Sequence, residues 1–491
     1  MSKIVLIEPP STMQKLQSIK SRRPHLGAPL PYVYIGSYLQ EAGIPAEVID
    51  MRINSTAYLR DYLRDNKPAL AGITIMPGNA LRRSIALNKL IKKYSPHTKI
   101  VWGGSFPSLH YELCLNIPEV DFVVSGDGEE TLTELASLLG NGHTKSDLVN
   151  IKGLVFRENG SYRVTEPRPP TDLNRKPVGA WNLLEKNMNF YLGPNKYLAV
   201  NTTRGCPFKC SFCYNNLLYK GFKRFRIRAI EQVLQEIDFL QDRYKLNKIQ
   251  FMDDDFLGHR PRGLKLAQAI HDNYPGLTYH IAARVDELTD ENTVRHLSET
   301  GCRSVFLGVE SGSTEILNDI NKGCSANDTI EAAKLCKKYN INATYSFACG
   351  FPDENWENLR ANIELAIILR QINKHSQSTI EIISPIANTP LYQELQEREQ
   401  LPDSSPASWC YLTDWKSAHN KPWIENQEFY EAFQLAFFLA FASEGSSAGL
   451  RSLTRVLSDW ARRRLVGNKP HKLPEFCLMN YIIKKAIWGI M

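Results

Sequence analysis

The sequence predicts an α/β protein with a doubly wound parallel sheet, a second series of β-α units, and a mostly helical C-terminal segment. Short apolar strands alternate with amphipathic helices over the first 140 residues, and six further strand–helix pairs begin at residue 197. From about residue 401 the chain becomes aromatic, basic and helical in pattern. Such alternation is typical of parallel sheets. The length of 491 residues predicts two or three domains.

The N-terminal sheet is predicted from apolar strands at 4–7, 46–49, 69–75, 99–102 and 121–124, with helices at 32–41, 79–94 and after 130. Ligands of such sheets bind beyond the carboxyl ends of the strands. Small and polar residues gather there: Thr74, Gly103, Gly104, Ser105, Gly126, Asp127 and Gly128. Glycine lets a backbone approach a flat ligand closely. Each glycine by itself is better explained by an ordinary strand-to-helix turn.

A hairpin and a linker separate this sheet from the second series of strands. Asn159-Gly160 lies between alternating apolar residues and predicts the hairpin, whereas 166–196 is rich in Pro, Asn and Lys. The later strands are predicted at 197–202, 248–252, 278–282, 304–308, 342–347 and 379–383. Six units are too few for an eight-stranded barrel. We divide the chain into 1–145, 146–196, 197–400 and 401–491.

The most specific motif is a loop of three cysteines, Arg-Gly-Cys-Pro-Phe-Lys-Cys-Ser-Phe-Cys-Tyr at 204–214. Cys206, Cys210 and Cys213 can hold an iron–sulfur cubane and leave one iron open, whereas four cysteines normally close such a cluster. A zinc site needs a fourth Cys or His nearby, and the next histidine is His259. A disulfide does not suit an odd number of cysteines without a secretory signal.

This CxxxCxxC spacing, with Phe212 before the last cysteine, resembles the radical S-adenosylmethionine (SAM) superfamily. The resemblance implies a [4Fe–4S] cluster whose open iron binds SAM, and cleavage of SAM to methionine and a 5′-deoxyadenosyl radical. It further implies that the six units form a partial (βα)6 barrel. An electron donor such as a flavodoxin or ferredoxin is also implied.

The same resemblance assigns SAM contacts to residues at the strand ends: Phe212, Asp254, Arg284, Glu310 and Ser311. Asp254 lies in Met-Asp-Asp-Asp-Phe (252–256), and Glu310 lies in Gly-Val-Glu-Ser-Gly (308–312), where Gly312 permits close approach. Two alternatives stay open. Asp255 is suited to cap a helix N-terminus, and Arg284 can be a surface salt-bridge partner.

The segments 26–39, 101–108 and 121–131 resemble the cobalamin-binding domain that precedes some radical SAM barrels. The resemblance implies cobalamin at the seven residues named above for the first sheet. The chain lacks Asp-x-His-x-x-Gly, the motif whose histidine binds cobalt in mutases. We therefore expect no protein imidazole below the cobalt. A domain that has kept the fold and lost the cofactor is the alternative.

Seven cysteines lie outside the motif. Cys349, near a strand end, is a candidate for a hydrogen donor or substrate contact, and the alternative is a plain core role. Buried free thiols are expected at the others: Cys114, Cys302, Cys324, Cys336, Cys410 and Cys477. Their scatter fits a reducing cytoplasm, and no apolar run of about 18 residues predicts a membrane span.

The last 90 residues combine an aromatic segment at 429–441 with a basic amphipathic segment at 449–465, which includes Arg451 and Arg455. The first interpretation is a helical cap that covers the barrel and excludes water. The second is binding to a membrane surface. The net charge of +7 permits anionic partners, but nucleic acid is not expected.

Together the resemblances imply a cobalamin-dependent radical SAM C-methyltransferase that acts on an unactivated carbon. One SAM would methylate cobalamin and another would yield the radical. Cyclisation, ring contraction, dehydration and deoxygenation share these motifs. A methylthiotransferase-like RNA modifier would need a second, N-terminal cluster, and only Cys114 precedes Cys206. The small-molecule substrate stays open between a secondary metabolite, peptide, tetrapyrrole and lipid.

Overall fold

The computed structural model describes residues 3–10, 26–76, 78–140, 145–175, 178–219, 221–402, 405, 408–410, 418, 421–441, 460–465, 473, 475 and 476. The chain forms two compact units. The first takes in the described parts of 1–206, 214–250 and 403–410, and the second those of 207–213, 251–402 and 411–491.

The first unit contains a seven-stranded sheet in the order β2-β1-β3-β4-β5-β6-β7. Its strands are β1 (Ile4–Glu8), β2 (Ala46–Asp50), β3 (Leu70–Thr74), β4 (Lys99–Gly103), β5 (Phe122–Val124), β6 (Leu154–Glu158) and β7 (Ser161–Val164). The first five are parallel, as predicted. The predicted hairpin is β6–β7. It was expected in the linker, but β6 pairs antiparallel with β5 and extends the sheet.

The helices of the first unit lie between these strands along the chain or follow them. They are α1 (Leu30–Glu41), α2 (Thr56–Asn66), α3 (Asn79–Tyr94), α4 (Ser105–Leu109), α5 (Tyr111–Leu115), α6 (Glu129–Gly140), α7 (Lys145–Leu148), α8 (Met188–Leu192) and α9 (Ile230–Tyr244). Tyr32 of α1 donates its hydroxyl proton to the carbonyl of Ile7 and accepts from the amide of Thr74. This buried side chain therefore ties α1 to the carboxyl ends of β1 and β3.

A six-stranded sheet has the order β15-β14-β13-β12-β11-β8. Its strands are β8 (Tyr197–Val200), β11 (Lys248–Phe251), β12 (Thr278–Arg284), β13 (Cys302–Glu310), β14 (Asn342–Cys349) and β15 (Gln377–Ile382). All six were predicted, and β12 to β15 pair in parallel. The register places Arg284 beside Gly308 and Glu310 beside Phe347. Parallel pairing thus brings the predicted SAM-contacting residues of β12 and β13 to the same end of the sheet.

A two-stranded antiparallel sheet, β9 (Thr203–Arg204) with β10 (Arg226–Ile227), was not predicted. Each strand has two residues, too few to show an alternating pattern. The pair closes the segment that carries the three cysteines.

The helices of the second unit follow its strands. They are α10 (Arg260–Asn273), α11 (Glu291–Glu299), α12 (Thr314–Asp319), α13 (Ala326–Lys338), α14 (Trp356–Ile372), α15 (Pro390–Glu397) and α16 (Gln427–Phe441). Reciprocal capping boxes begin α13 at Ser325 and α14 at Asn355, and they satisfy amides that a helix start leaves unpaired.

The predicted aromatic segment forms helix α16, which packs on β14 and β15. The rings of Phe437 and Phe347 lie 5.5 Å apart, and Gln434 donates to the carbonyl of Ile380 at 2.9 Å. Residues 449–459 of the predicted basic segment lie outside the described residues, and 460–465 are helical. Among the helices that the structure describes, none is long and apolar enough to cross a membrane.

Candidate cofactor site

The three cysteines of the motif differ in exposure. Cys210 is buried, whereas Cys206 and Cys213 are partly exposed. In the described part of the chain, no three His, Cys, Asp or Glu side chains are placed to share one metal ion. Each cysteine of a cubane binds a different iron atom, so their role as cluster ligands stays a prediction.

The surroundings of Cys210 suit an anionic sulfur ligand. Arg284 Nη1 lies 3.8 Å from Cys210 Sγ, and the guanidinium carbon lies 3.9 Å from the centre of the Phe208 ring. Cysteine binds metal as an anion, and Arg284 places a positive charge beside this sulfur. Arg284 is 7% exposed, so the alternative of a surface salt-bridge partner is wrong.

Arg284 belongs to a buried chain of charges at the ends of β12 and β13. It pairs with Asp286 at 3.0 Å and donates to the carbonyl of Lys322 at 2.5 Å. Lys322, itself buried, pairs with Glu310 at 2.8 Å. Burial opposes the charges of Arg284 and Lys322, but the carboxylates of Asp286 and Glu310 outweigh it and raise both pKa values. Lys322 was not found from the sequence, because it lies on a loop without a recognisable motif.

The Gly-Val-Glu-Ser-Gly segment has an irregular backbone that helix α14 supports. Glu310 has a φ of +65° at a register shift between β13 and β14, a conformation that costs free energy in a residue other than glycine. Ser311 is fully buried and donates to Asn362 Oδ1 at 3.0 Å. The amide of Gly312 donates to the same oxygen at 2.6 Å. Gly312 does permit a close approach, and the group that approaches it is the backbone of α14. An added Cβ at Gly312 would lie 2.6 Å from the carbonyl carbon of Ala361.

The other two predicted SAM contacts have different surroundings. The ring of Phe212 lies 6.5 Å from that of Phe351, beside a core cluster that includes Ile316 and Ile320. Asp254 is exposed, between the buried Asp253 and Asp255. The roles of all five residues toward SAM stay predictions.

Asp255 does not cap a helix, because α10 begins after His259, which provides the N-cap. Asp255 is 1% exposed, and burial together with the neighbouring Glu287 raises its pKa to about 9. Burial also raises the pKa of Glu287. The two carboxyl groups, from the ends of β11 and β12, therefore share a proton at neutral pH. The sequence alone does not reveal this pair, since neither burial nor the partner is visible in it.

The residues predicted to bind cobalamin meet at one end of the first sheet. The hydroxyl of Ser108 donates to the carbonyl of Gly104 at 2.7 Å and accepts from the amide of Gly126 at 3.0 Å. Thr74, Gly103, Gly104, Ser105, Gly126, Asp127 and Gly128 lie at or just beyond the ends of β3, β4 and β5. In the strand order 2-1-3-4-5, a ligand binds where the order reverses, next to β1 and β3. The backbone geometry therefore fits the predicted cofactor.

Asp127 differs from the other six residues because its buried carboxylate is held by protein groups. It accepts from Arg226 at 2.5 Å, from Tyr219 at 2.6 Å and from the amide of Thr171 at 2.9 Å, and it lies 3.3 Å from Arg204. Burial would raise its pKa, but the two guanidinium groups outweigh this and lower it.

Past the cobalamin-site loop after β4, His110 stacks on Phe106 at 4.6 Å and meets the ring edge of Trp409 at 4.4 Å. Burial lowers its pKa to about 3, so the imidazole is neutral.

The C-terminal part of the chain covers the ends of β14 and β15. Trp423 donates to the carbonyl of Gly350 at 2.7 Å, and the fully buried Lys421 donates to Ser384 at 3.2 Å. Cys349 is fully buried, and burial raises the pKa of its thiol well above the usual value. The remaining cysteines are buried as expected, except that Cys324 is partly exposed; Cys477 lies outside the described residues.

Comparison with known sequences identifies both parts of the chain. The profile of the Radical SAM superfamily matches residues 200–366, and that of the B12 binding domain matches residues 19–136. The uncharacterized methyltransferase PH0819 of Pyrococcus horikoshii is 31% identical over 369 residues, which cover 74% of this chain and 77% of that protein. The protein is thus a radical SAM enzyme. The chain belongs to the family in which a B12-binding domain precedes the radical SAM barrel, as the sequence predicted.

Two further relatives differ in the reaction they are named for. The anaerobic magnesium-protoporphyrin IX monomethyl ester cyclase of Rubrivivax gelatinosus is 26% identical over 377 residues, 75% of this chain and 66% of that protein. The structure of the radical SAM methyltransferase TsrM from Kitasatospora setae, with cobalamin and a [4Fe–4S] cluster bound, has the same fold. Its TM-score is 0.66 at 19% identity, covering 81% of this chain and 78% of that chain. The predicted cofactors, a [4Fe–4S] cluster, SAM and cobalamin, are those of the matched families.

Proposed function

We propose that the protein is a cobalamin-dependent radical SAM C-methyltransferase that acts on an unactivated carbon of a small molecule. The observation that carries this proposal is the buried charge chain from Arg284 to Glu310 beside Cys210, in a chain that also has a B12-binding sheet. The named methyltransferase at 31% identity supports methylation over other outcomes.

The residues have separate tasks in this proposal. Cys206, Cys210 and Cys213 bind the cluster, and Arg284 places a positive charge beside Cys210. Arg284 offers a positive charge to the carboxylate of SAM, Asp254 a negative charge to its amino group, and Glu310 and Ser311 contact its ribose and methionine parts. When bound, the cluster and SAM supply a 5′-deoxyadenosyl radical and cobalamin supplies a methyl group. The C-terminal segment at Trp423 excludes water from the strand ends.

A cyclase is the second candidate, because the Rubrivivax gelatinosus relative is named for cyclisation of a tetrapyrrole. That relative also makes a tetrapyrrole one of the substrate classes to test. An external electron donor, contact with a membrane surface and a cytoplasmic location stay predictions from the sequence.

The mass of the product distinguishes the two reactions. We would purify the protein without oxygen, measure iron and cobalt, and incubate it with SAM, a reductant and candidate substrates. Methylation adds one methylene unit, and a trideuteromethyl group on SAM would carry three deuterium atoms into the product. A product without added carbon would contradict methylation and would indicate cyclisation or dehydration instead.

Replacement of Cys206, Cys210 and Cys213 with Ala should remove about four irons per chain, the content of a cubane. A matched control replaces three buried cysteines elsewhere, Cys114, Cys302 and Cys336, and should retain the iron. Iron retained by the first variant would contradict the cluster assignment.

The Co(II) form should show no nitrogen splitting from an axial base in its paramagnetic resonance spectrum. The chain lacks the mutase motif, and His110 is packed between aromatic rings. An imidazole signal that disappears in His110→Ala would overturn this expectation.

A further inference from the structure

Both ends of the cysteine loop are held at one place. Residues 205–225 run between Arg204 and Arg226 in the sequence, and these two flanking residues pair directly across β9 and β10. The strands approach so closely that a Cβ on Gly205, whose φ is +80°, would lie 3.1 Å from the carbonyl carbon of Arg224. The first cluster cysteine, Cys206, follows immediately.

One carboxylate contacts both of these ends. Asp127 pairs with Arg204 at 3.3 Å and with Arg226 at 2.5 Å, and it accepts from Tyr219 within the loop at 2.6 Å. Its neighbour Glu129 adds a second ion pair to Arg204 at 2.5 Å. The Asp127 and Arg226 side chains are only 6% and 10% exposed, so solvent screens their attraction weakly.

The position of Asp127 in the fold connects the cysteine loop to the predicted cobalamin site. Asp127 lies between Gly126 and Gly128, in the turn from β5 to α6 at the predicted cobalamin site. A carboxylate that contacts Tyr219 within the cysteine loop and both residues that flank it reduces the freedom of that loop before any cofactor binds. Holding the ends of a flexible loop in advance removes part of the entropy lost when it closes around a ligand.

We propose that Asp127 is a positioning residue that clamps both ends of the cysteine loop to the cobalamin-site turn, so that occupancy of the turn steadies the cluster ligand Cys206. The coupling to cobalamin rests on the proposed function, whereas the clamp itself does not.

Hydrogen exchange of the protein without cofactors tests the clamp. Asp127→Asn keeps the size of the side chain but removes its negative charge. One of its two carboxylate oxygens becomes an NH2 group, which cannot accept a hydrogen bond from Arg204 or Arg226. We expect amides of residues 202–204 and 226–228 to exchange at least tenfold faster. Tyr219→Phe removes one hydrogen bond to Asp127 and leaves every charge in place. It should therefore increase the exchange rate of the same segments by a smaller factor.

Asp121→Asn is the matched control. Asp121 accepts from Lys92, Lys99 and the amide of Ile100 in the same unit, and none of these partners belongs to the described residues of the cysteine loop. Its replacement should leave the exchange of 202–204 and 226–228 unchanged. Unchanged exchange in both Asp127→Asn and Tyr219→Phe would overturn the clamp, and if Asp127→Asn fails to fold, Tyr219→Phe alone decides.

Cobalamin titration followed by absorbance tests the coupling. We expect cobalamin to slow exchange at 202–204 in the native chain, and to slow it less in Tyr219→Phe, which loses a bond to Asp127 but keeps every predicted cobalamin-site residue. Equal slowing in the native chain and in Tyr219→Phe would overturn the coupling. Loss of cobalamin binding in Asp127→Asn with unchanged exchange of the cofactor-free protein would make Asp127 a cofactor contact and overturn the proposal. If the native chain binds no cobalamin, the proposed function fails, and the exchange of the cofactor-free protein still decides the clamp.

Discussion

Replacement of Gly312 with Ala should destabilise the second unit and loosen the Glu310 segment. The new Cβ would lie 2.6 Å from the carbonyl carbon of Ala361 and 3.1 Å from the amide nitrogen of Asn362. Both atoms belong to the backbone of helix α14, so neither can move aside as a flexible side chain would. The strand end or the helix must shift instead.

The size of the effect follows from two contributions. Overpacking of this kind costs about 1–3 kcal/mol. A shift would also weaken the bonds that Ser311 and Gly312 donate to Asn362, each worth about 1 kcal/mol. We expect a total loss of about 3 kcal/mol, which for a domain of this size lowers Tm by roughly 6–12 °C.

Thermal and urea unfolding of the purified protein measure this loss. Gly27→Ala is a matched control, because an added Cβ there meets nothing within 4 Å, and its stability should change by less than about 0.5 kcal/mol. SAM binding by the reconstituted enzyme should weaken in Gly312→Ala only. A Gly312→Ala protein as stable as the control would refute the argument that α14 fixes the backbone of Glu310.

Three further substitutions test the candidate site. Arg284→Gln should weaken SAM binding at least tenfold in isothermal titration while the barrel stays folded, and unchanged affinity would exclude a role in SAM binding. As the pH rises from 5 to 8, the free energy of unfolding of Asp255→Asn should increase relative to that of the native chain, by up to about 1.4 kcal/mol per pH unit. The native protein loses stability over this range because the folded pKa of Asp255, about 9, lies above its unfolded pKa. Parallel pH profiles of urea unfolding for the two proteins would contradict the shared proton. Trp423→Ala should allow SAM cleavage without product in a coupled mass-spectrometric assay, and a full product yield would exclude a cap at Gly350.

The strands and the strand-end residues were predictable because their information is local. Apolar runs mark the strands, and Glu310 lies in a motif of five consecutive residues. The pairing of Lys322 with Glu310 and the carboxyl pair of Asp255 and Glu287 were not predictable, since each depends on burial and on a partner from another element. The same reason explains why Arg284 could be taken for a surface cation.

The clamp at Asp127 shows this limit most clearly. Its glycine neighbours indicated a ligand site, but the partners Arg204, Tyr219 and Arg226 lie more than 70 residues away along the chain. A local pattern carries no information on contacts at such separations.

Helix α16 has a consequence for solubility and for the design of shortened chains. Strand β15 is the last strand in its sheet order, and Gln434 binds a carbonyl of that strand, Ile380, which would otherwise be open to another chain. An uncovered terminal strand is a template for intermolecular β pairing, and proteins often protect it with a helix. A chain that ends near residue 400 would lose this protection, so it should self-associate through β15. Deleting the C-terminal segment would then combine aggregation with any catalytic defect, whereas a substitution at Trp423 leaves α16 in place over β15.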